Sequence, residues 1–151
     1  MAQVGSILVV CVGNICRSPV GERLLASALP DVSVSSAGIG AVVGAPADKV
    51  MREVAEAEGV SLEGHVARQF TAEIGAAHEL ILVMEAGHRS EIARIAPHLS
   101  GRTMLFDQWL GGQGIPDPYR KPIEAHRAAF AQIRAAAEGW VSRLGRKRGQ
   151  G

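Results

Sequence analysis

The sequence predicts an α/β protein: an open, three-layer parallel sheet of about four strands, flavodoxin-like in topology, with helices on both faces. Three observations carry this. Continuous apolar runs rich in Ile, Leu and Val occur at 7–10 and 80–84, as expected for strands covered on both sides. Segments with helical apolar spacing alternate with them. Right-handed crossovers between such units put the first strand in the middle of the sheet. The 151 residues are expected to form one domain, 1–151, with a sizeable core.

In order, Gly5–Val10 reads as the first strand. Ser18 suits a helix cap and Pro19 its first turn. Val20, Leu24, Leu25 and Ala28 give that helix its apolar stripe, and Pro30 ends it. Val32–Ser36 alternates as a second strand, and Ala37–Pro46 is a loop exposing Ile39, Val42 and Val43. A helix is expected from about Ala47 to Glu58, with Val50, Met51 and Val54 inward and Gly59 as its stop. Leu80–Met84 is a third strand, Ala86–Ile95 a helix closed by Pro97, and Thr103–Phe106 a fourth strand. Gly111–Pro122, with three glycines and three prolines, is loop. The last helix runs from about Ile123 to Leu144, with Phe130, Ile133, Ala137, Trp140, Val141 and Leu144 on its inner face. Arg146–Arg148 reads as a solvated tail.

A formal net charge of +1 gives no reason to expect nucleic acid as a partner. No apolar run approaches the roughly 20 residues that span a bilayer, and the start lacks the pattern of a signal peptide. The expectation is therefore a cytoplasmic protein without membrane insertion. Its two cysteines, Cys11 and Cys16, have no metal-ligand pattern beside them in the sequence and are expected as free thiols. No metal and no cofactor are expected.

The stretch that carries chemistry is C-V-G-N-I-C-R-S, residues 11–18. Cys11 ends a strand, five residues follow, and Arg17 and Ser18 open a helix. Negative charge on the sulfur is favoured there by the helix end and by the guanidinium. The backbone N–H groups from Val12 through Gly13, Asn14, Ile15 and Cys16 to Arg17 can curl around one tetrahedral anion. Gly13 is expected to supply a conformation that a side chain would obstruct. Arg17 offers a planar fork to two phosphate oxygens, which Lys could not. Ser18 can donate its hydroxyl to the sulfur, and Asn14 can pin the loop.

A phosphate monoester seated there places phosphorus near the sulfur, and its ester oxygen then needs a proton. Asp117, in I-P-D-P-Y, is the candidate acid, with Tyr119 beside it as a wall for a flat leaving group. His65 reads as a hydrogen-bonded structural residue. His78, His88, His98 and His126 show no partner pattern and read as surface residues, and Trp109 and Trp140 as packing residues.

These motifs resemble the low-molecular-weight protein tyrosine phosphatase family over essentially the whole chain. The stretches S-A-G-I-G-A, L-E-G-H-V-A-R-Q, L-I-L-V-M-E and I-P-D-P-Y-R-K look closest to bacterial members associated with exopolysaccharide production and export. The resemblance implies a metal-free mechanism in which Cys11 forms a cysteinyl-phosphate. Asp117 then serves as acid and afterwards as base, and Arg17 holds the phosphoryl group. It implies that Asn14, Ser18, Ser36 and His65 form a hydrogen-bond network behind the loop. The implied partner is a phosphotyrosine protein, the tyrosine-rich tail of a membrane-anchored tyrosine autokinase, with inorganic phosphate as product. The chain departs from eukaryotic-type members in having only Val42 on the lid loop and Arg120 after Tyr119, so a more open, less aromatic cleft is expected.

Three alternatives stand beside this reading. An arsenate reductase on the same fold would need further downstream cysteines, and none follows Cys16. A phosphoarginine phosphatase would carry Thr where Ile15 stands. A non-catalytic thiol redox sensor would have no use for Asp117. Oxidation joining Cys11 to Cys16 is a further expectation.

Overall fold

The computed structural model describes residues 4–149, with side chains through residue 145. Four strands, β1 (Ser6–Cys11), β2 (Ser33–Gly38), β3 (Leu80–Val83) and β4 (Thr103–Leu105), form one parallel sheet in the order β2-β1-β3-β4. The helices are α1 (Arg17–Ala28), α2 (Lys49–Ala57), α3 (Ala72–Ala76), α4 (Ala86–Ile95) and α5 (Ile123–Gly149). Two 3-10 turns, Pro97–Arg102 and Gln108–Leu110, flank β4.

The strands alternate between two apolar layers because successive side chains point to opposite faces. Ile7, Val9, Leu80 and Leu82 pack with α1, α2 and α5, through Val20, Leu25, Met51, Phe130, Ile133 and Trp140. Leu8, Val10, Ile81 and Val83 pack with Phe70, Ile92 and Leu99 on the other face. Trp140 is fully buried, donates Nε1–H to the Phe106 carbonyl at 2.8 Å, and meets Trp109 edge-on. Truncating it to Ala would cost about 3–5 kcal/mol.

Several boundaries differ from the expected ones. The first helix starts at Arg17, and Ser18 does not cap it. The Ser18 hydroxyl is used by the sulfur of Cys11 instead. The second helix starts at Lys49 because the Asp48 carboxylate accepts the Met51 N–H, a cap that terminates it cleanly on that side. The last helix continues past Leu144 to Gly149, while the expected solvation of Arg146–Arg148 concerns side chains outside the described residues. Among the described residues no helix is long and apolar enough to cross a membrane.

Two histidines expected at the surface are buried: His88 under the start of α4 and His126 in the first turn of α5. His78 is half-buried, bonded to the Ser35 hydroxyl and to the Ile74 carbonyl. Each sits where a helix or loop closes over the sheet, a tertiary circumstance that no local spacing announces.

Candidate active site

The carboxyl ends of β1 and β3 and the N-terminus of α1 meet at one edge of the sheet, the place where open α/β folds bind ligands. Residues 12–16 fill the gap between β1 and α1. Cys11, Val12, Gly13, Ile15, Cys16, Arg17, Gly40, Val42, Asp117 and Tyr119 line a single cleft over that gap. Cys11, Arg17 and Ser18 are buried at its base. Val42 is 49 % and Tyr119 41 % exposed at its rim.

The loop owes its curl to Asn14, not to Gly13. Asn14 has φ +58°, in the left-handed region that few non-glycine residues enter. Its side chain is what makes this tolerable. Nδ2 donates to Ser18 Oγ at 2.8 Å and to Ser36 Oγ at 3.0 Å, and Oδ1 accepts the Arg68 N–H at 2.9 Å. His65 Nε2 donates to the Asn14 carbonyl. Gly13 has no positive φ, and a Cβ there would meet Ile15 and Val42 only at ordinary contact distance. The glycine the loop requires is Gly38 at the end of β2. A Cβ at Gly38 would lie 2.3 Å from the Val12 carbonyl oxygen, so the backbones could not approach as they do.

These bonds fix the direction of a proton. Ser18 Oγ accepts from Asn14, so its own hydrogen is free to donate to Cys11 Sγ, 2.9 Å away. Ser36 Oγ also accepts from Asn14 and donates onward to Glu22 Oε1 at 2.6 Å. A chain of hydrogen bonds thus runs from Glu22 through Ser36, Asn14 and Ser18 to the sulfur, and each link orients the next.

Arg17 is 1 % exposed and half committed. Its Nη1 donates to the Glu85 carboxylate and to the Ile115 carbonyl, while Nε, also buried, has no partner. The Nε/Nη2 edge is therefore the one not held by hydrogen bonds. Asp117 Oδ2 stands 3.7 Å from Nη2, and the Asp117 side chain is 43 % exposed. The loop bearing Asp117 is tied down two residues earlier, where Ile115 N–H donates to the Met84 carbonyl at the end of β3. Asp107 Oδ2 holds the same loop by accepting the Gly114 N–H.

Cys16 lies in the loop but in a different environment from Cys11. Burial above all, then the nearby Asp48 and other acidic neighbours, pushes its thiol far up, against a smaller opposing pull from Arg17. It is thus held as a neutral thiol. Burial, and next the Arg17 guanidinium, holds His88 below the usual imidazole range, with Glu85 and Asp117 opposing.

All the residues singled out in the sequence gather here: Cys11 to Ser18 in the loop, Ser36 and His65 behind it, Val42 and Tyr119 at the rim, Asp117 across from Arg17. Glu22, Arg68 and Glu85 were missed. Glu85 had a signal, a carboxylate directly after the buried run L-I-L-V-M and hence at the ligand-binding edge. Glu22 and Arg68 had none, since they work through Ser36 and Asn14 from remote parts of the chain.

Residues 6–150 match the family model described as low molecular weight phosphotyrosine protein phosphatase. The chain is 51 % identical to the low molecular weight protein-tyrosine-phosphatase Etp of Escherichia coli K12, covering 97 % of this chain and 100 % of that one. Among solved structures, the tyrosine phosphatase Wzb from Escherichia coli K30 in complex with sulphate is 46 % identical with a TM-score of 0.92, over 94 % of this chain and 99 % of that chain. Vibrio vulnificus Wzb in complex with benzylphosphonate is 47 % identical, also with a TM-score of 0.92, over 94 % and 100 % of the two chains. A strand-loop-helix, a buried arginine and a facing aspartate come together with this similarity along nearly the whole length, and the chain belongs to the low molecular weight phosphotyrosine protein phosphatase family.

Proposed function

We propose that the protein hydrolyses phosphotyrosine in proteins, with Cys11 as nucleophile, Arg17 as phosphoryl holder and Asp117 as general acid and base. The observation that carries this reading is the half-committed Arg17. Glu85 and Ile115 hold one nitrogen, so the guanidinium plane is fixed and its other edge, beside Asp117, can meet two phosphate oxygens. The backbone N–H groups of the loop and the N-terminus of α1 favour the remaining charge.

In the first step the Cys11 sulfur attacks phosphorus as the thiolate, the form in which it is later released. The bond to the ester oxygen breaks, its electron pair passes to that oxygen, and Asp117 supplies the proton. In the second step the Asp117 carboxylate takes a proton from water, which attacks phosphorus as the P–S bond breaks. The Ser18 hydroxyl then stabilises the departing thiolate, and inorganic phosphate leaves. Every proton is accounted for without a further group.

The depth of the cleft favours tyrosine. Cys11 lies buried below a rim of Val42 and Tyr119, so an aromatic ring spans the distance from seat to rim, packing between Ile15 and these side chains. A phosphoserine would have to carry its own backbone into the cleft. The benzylphosphonate bound by the Vibrio vulnificus relative is an aryl-bearing phosphonate of this kind. The resemblance to exopolysaccharide-associated phosphatases supports, as substrate, the tyrosine-rich tail of a membrane-anchored tyrosine autokinase. The enzyme would then be a single catalytic domain in the cytoplasm that regulates polysaccharide production and export.

The test is an assay of matched phosphotyrosine, phosphoserine and phosphoarginine peptides, with an intact tyrosine-kinase tail included. The reading predicts hydrolysis of phosphotyrosine by a wide margin and release of phosphate from the tail. Preferential hydrolysis of phosphoarginine would overturn it.

A further inference from the structure

Where the phosphate loop meets the ends of two helices, three ligating side chains from separate parts of the chain converge. Cys16 Sγ, a carboxylate oxygen of Asp48 and a ring nitrogen of His126 all lie within 4.8 Å of one another. Cys16 and His126 are both buried. We propose that Cys16, Asp48 and His126 bind one borderline-soft divalent cation of the zinc class.

The orientation of His126 is the main argument. The ring is 1 % exposed and its Nδ1 lies 3.2 Å from the Pro122 carbonyl oxygen, which can only accept. Nδ1 therefore carries a hydrogen, and Nε2 is the ring atom that faces Asp48. Metal-ligating histidines are commonly held this way, by a hydrogen bond from the other nitrogen to a carbonyl. Nε2 has no hydrogen-bond partner, and what faces it, 3.4 Å away, is Asp48 Oδ2. A divalent cation held by these atoms gives the buried ring nitrogen the partner it lacks.

The donor set fits. A thiolate, a carboxylate and an imidazole suit zinc, which takes four tetrahedral ligands, leaving one position for water. Typical zinc–ligand lengths put such donor atoms roughly 3.3–3.7 Å apart, so the side chains need close by only a fraction of the present separation. The cation displaces the Cys16 thiol proton to solvent, and two negative ligands then neutralise its charge. The scaffold is firm, because the Asp48 N–H donates to the Ile15 carbonyl at 2.7 Å and joins the cap of α2 to the loop. The sequence hid this grouping, since Cys16, Asp48 and His126 are far apart in the chain.

Cobalt(II) titration of the reduced protein tests the site, because a thiolate ligand gives cobalt a charge-transfer band absent from oxygen and nitrogen sites. The expected result is one cobalt per chain with that band, in the wild type and in Cys11→Ser alike. The band should vanish in Cys16→Ser, and affinity should fall by about tenfold or more in His126→Phe. His126→Gln, which keeps a polar group at the position, provides the same comparison if the phenylalanine variant does not fold by circular dichroism. The proposal is overturned by a folded wild type showing no band with excess cobalt. It is also overturned by a band that survives Cys16→Ser, by one lost in Cys11→Ser, or by unchanged affinity in the folded His126 variant.

Discussion

Arg17 Nη2 and Asp117 Oδ2 lie 3.7 Å apart, though one opens the first helix and the other lies on the loop before the last. The contact has a structural cause. Ile115, two residues before Asp117, gives its N–H to Met84 and receives Arg17 on its carbonyl. The arginine that is to hold phosphate thus also positions the loop that is to deliver the proton.

If Asp117 is the acid, Asp117→Asn lowers kcat by about 10²–10⁴-fold. The loss should be greatest for aryl phosphates whose leaving groups have the highest pKa, because these depend most on protonation. Steady-state rates over a series of substituted phenyl phosphates check this. Equal slowing across the series would remove the assignment.

Arg17→Lys keeps the charge and loses the planar fork. A fall of about 10²–10³-fold in kcat is expected, comparable to losing a donor aimed at developing charge. Glu85 and Ile115 would compete for a single ammonium, so the loop of Asp117 should also loosen. Hydrogen exchange at the amide of Ile115, compared between wild type and variant, reads that effect separately from the rate.

Asn14 combines a left-handed backbone with three side-chain hydrogen bonds. Asn14→Ala loses both the bonds and the tolerance for that conformation, and should destabilise the fold by about 3–4 kcal/mol. Asn14→Gly keeps the conformation accessible, so it should be about 1 kcal/mol less damaging to stability. Both should impair turnover similarly. Urea denaturation alongside phosphatase assays separates the two effects.

His88 makes stability depend on pH. Burial, followed by Arg17, lowers its proton affinity in the folded state. Above the ordinary value of 6.5 both states are neutral there and the contribution is complete. As the pH falls through that value the unfolded chain takes up the proton first, and stability declines until the folded group also titrates. His88→Gln should flatten the decline in urea midpoint between about pH 7.5 and 5. An unchanged slope in the variant would assign the acid sensitivity elsewhere.

The sheet and the position of the loop at its edge were legible because both are local. A continuous apolar run declares a buried strand, and Ala86–Ile95 is a helix over the range its spacing implied. The supporting shell was legible only in part. Gly13 stood in the loop and drew the conformational argument, whereas the close approach is made at Gly38, which meets Val12 only once β2 lies beside β1. His88 and His126 looked like surface residues because their burial comes from elements packed over them. Ser18 looked like a cap because Ser-Pro usually opens helices, yet its hydroxyl serves Cys11. Local pattern reveals groups that act through the backbone beside them, and it misses those that act across the fold.

The most direct test of the account is rapid quenching of the enzyme during turnover of an aryl phosphate, followed by mass spectrometry of its peptides. The account predicts one phosphoryl group on the peptide containing Cys11, and neither label nor turnover in Cys11→Ala. Label on any other residue, or turnover that persists without the Cys11 sulfur, would contradict it.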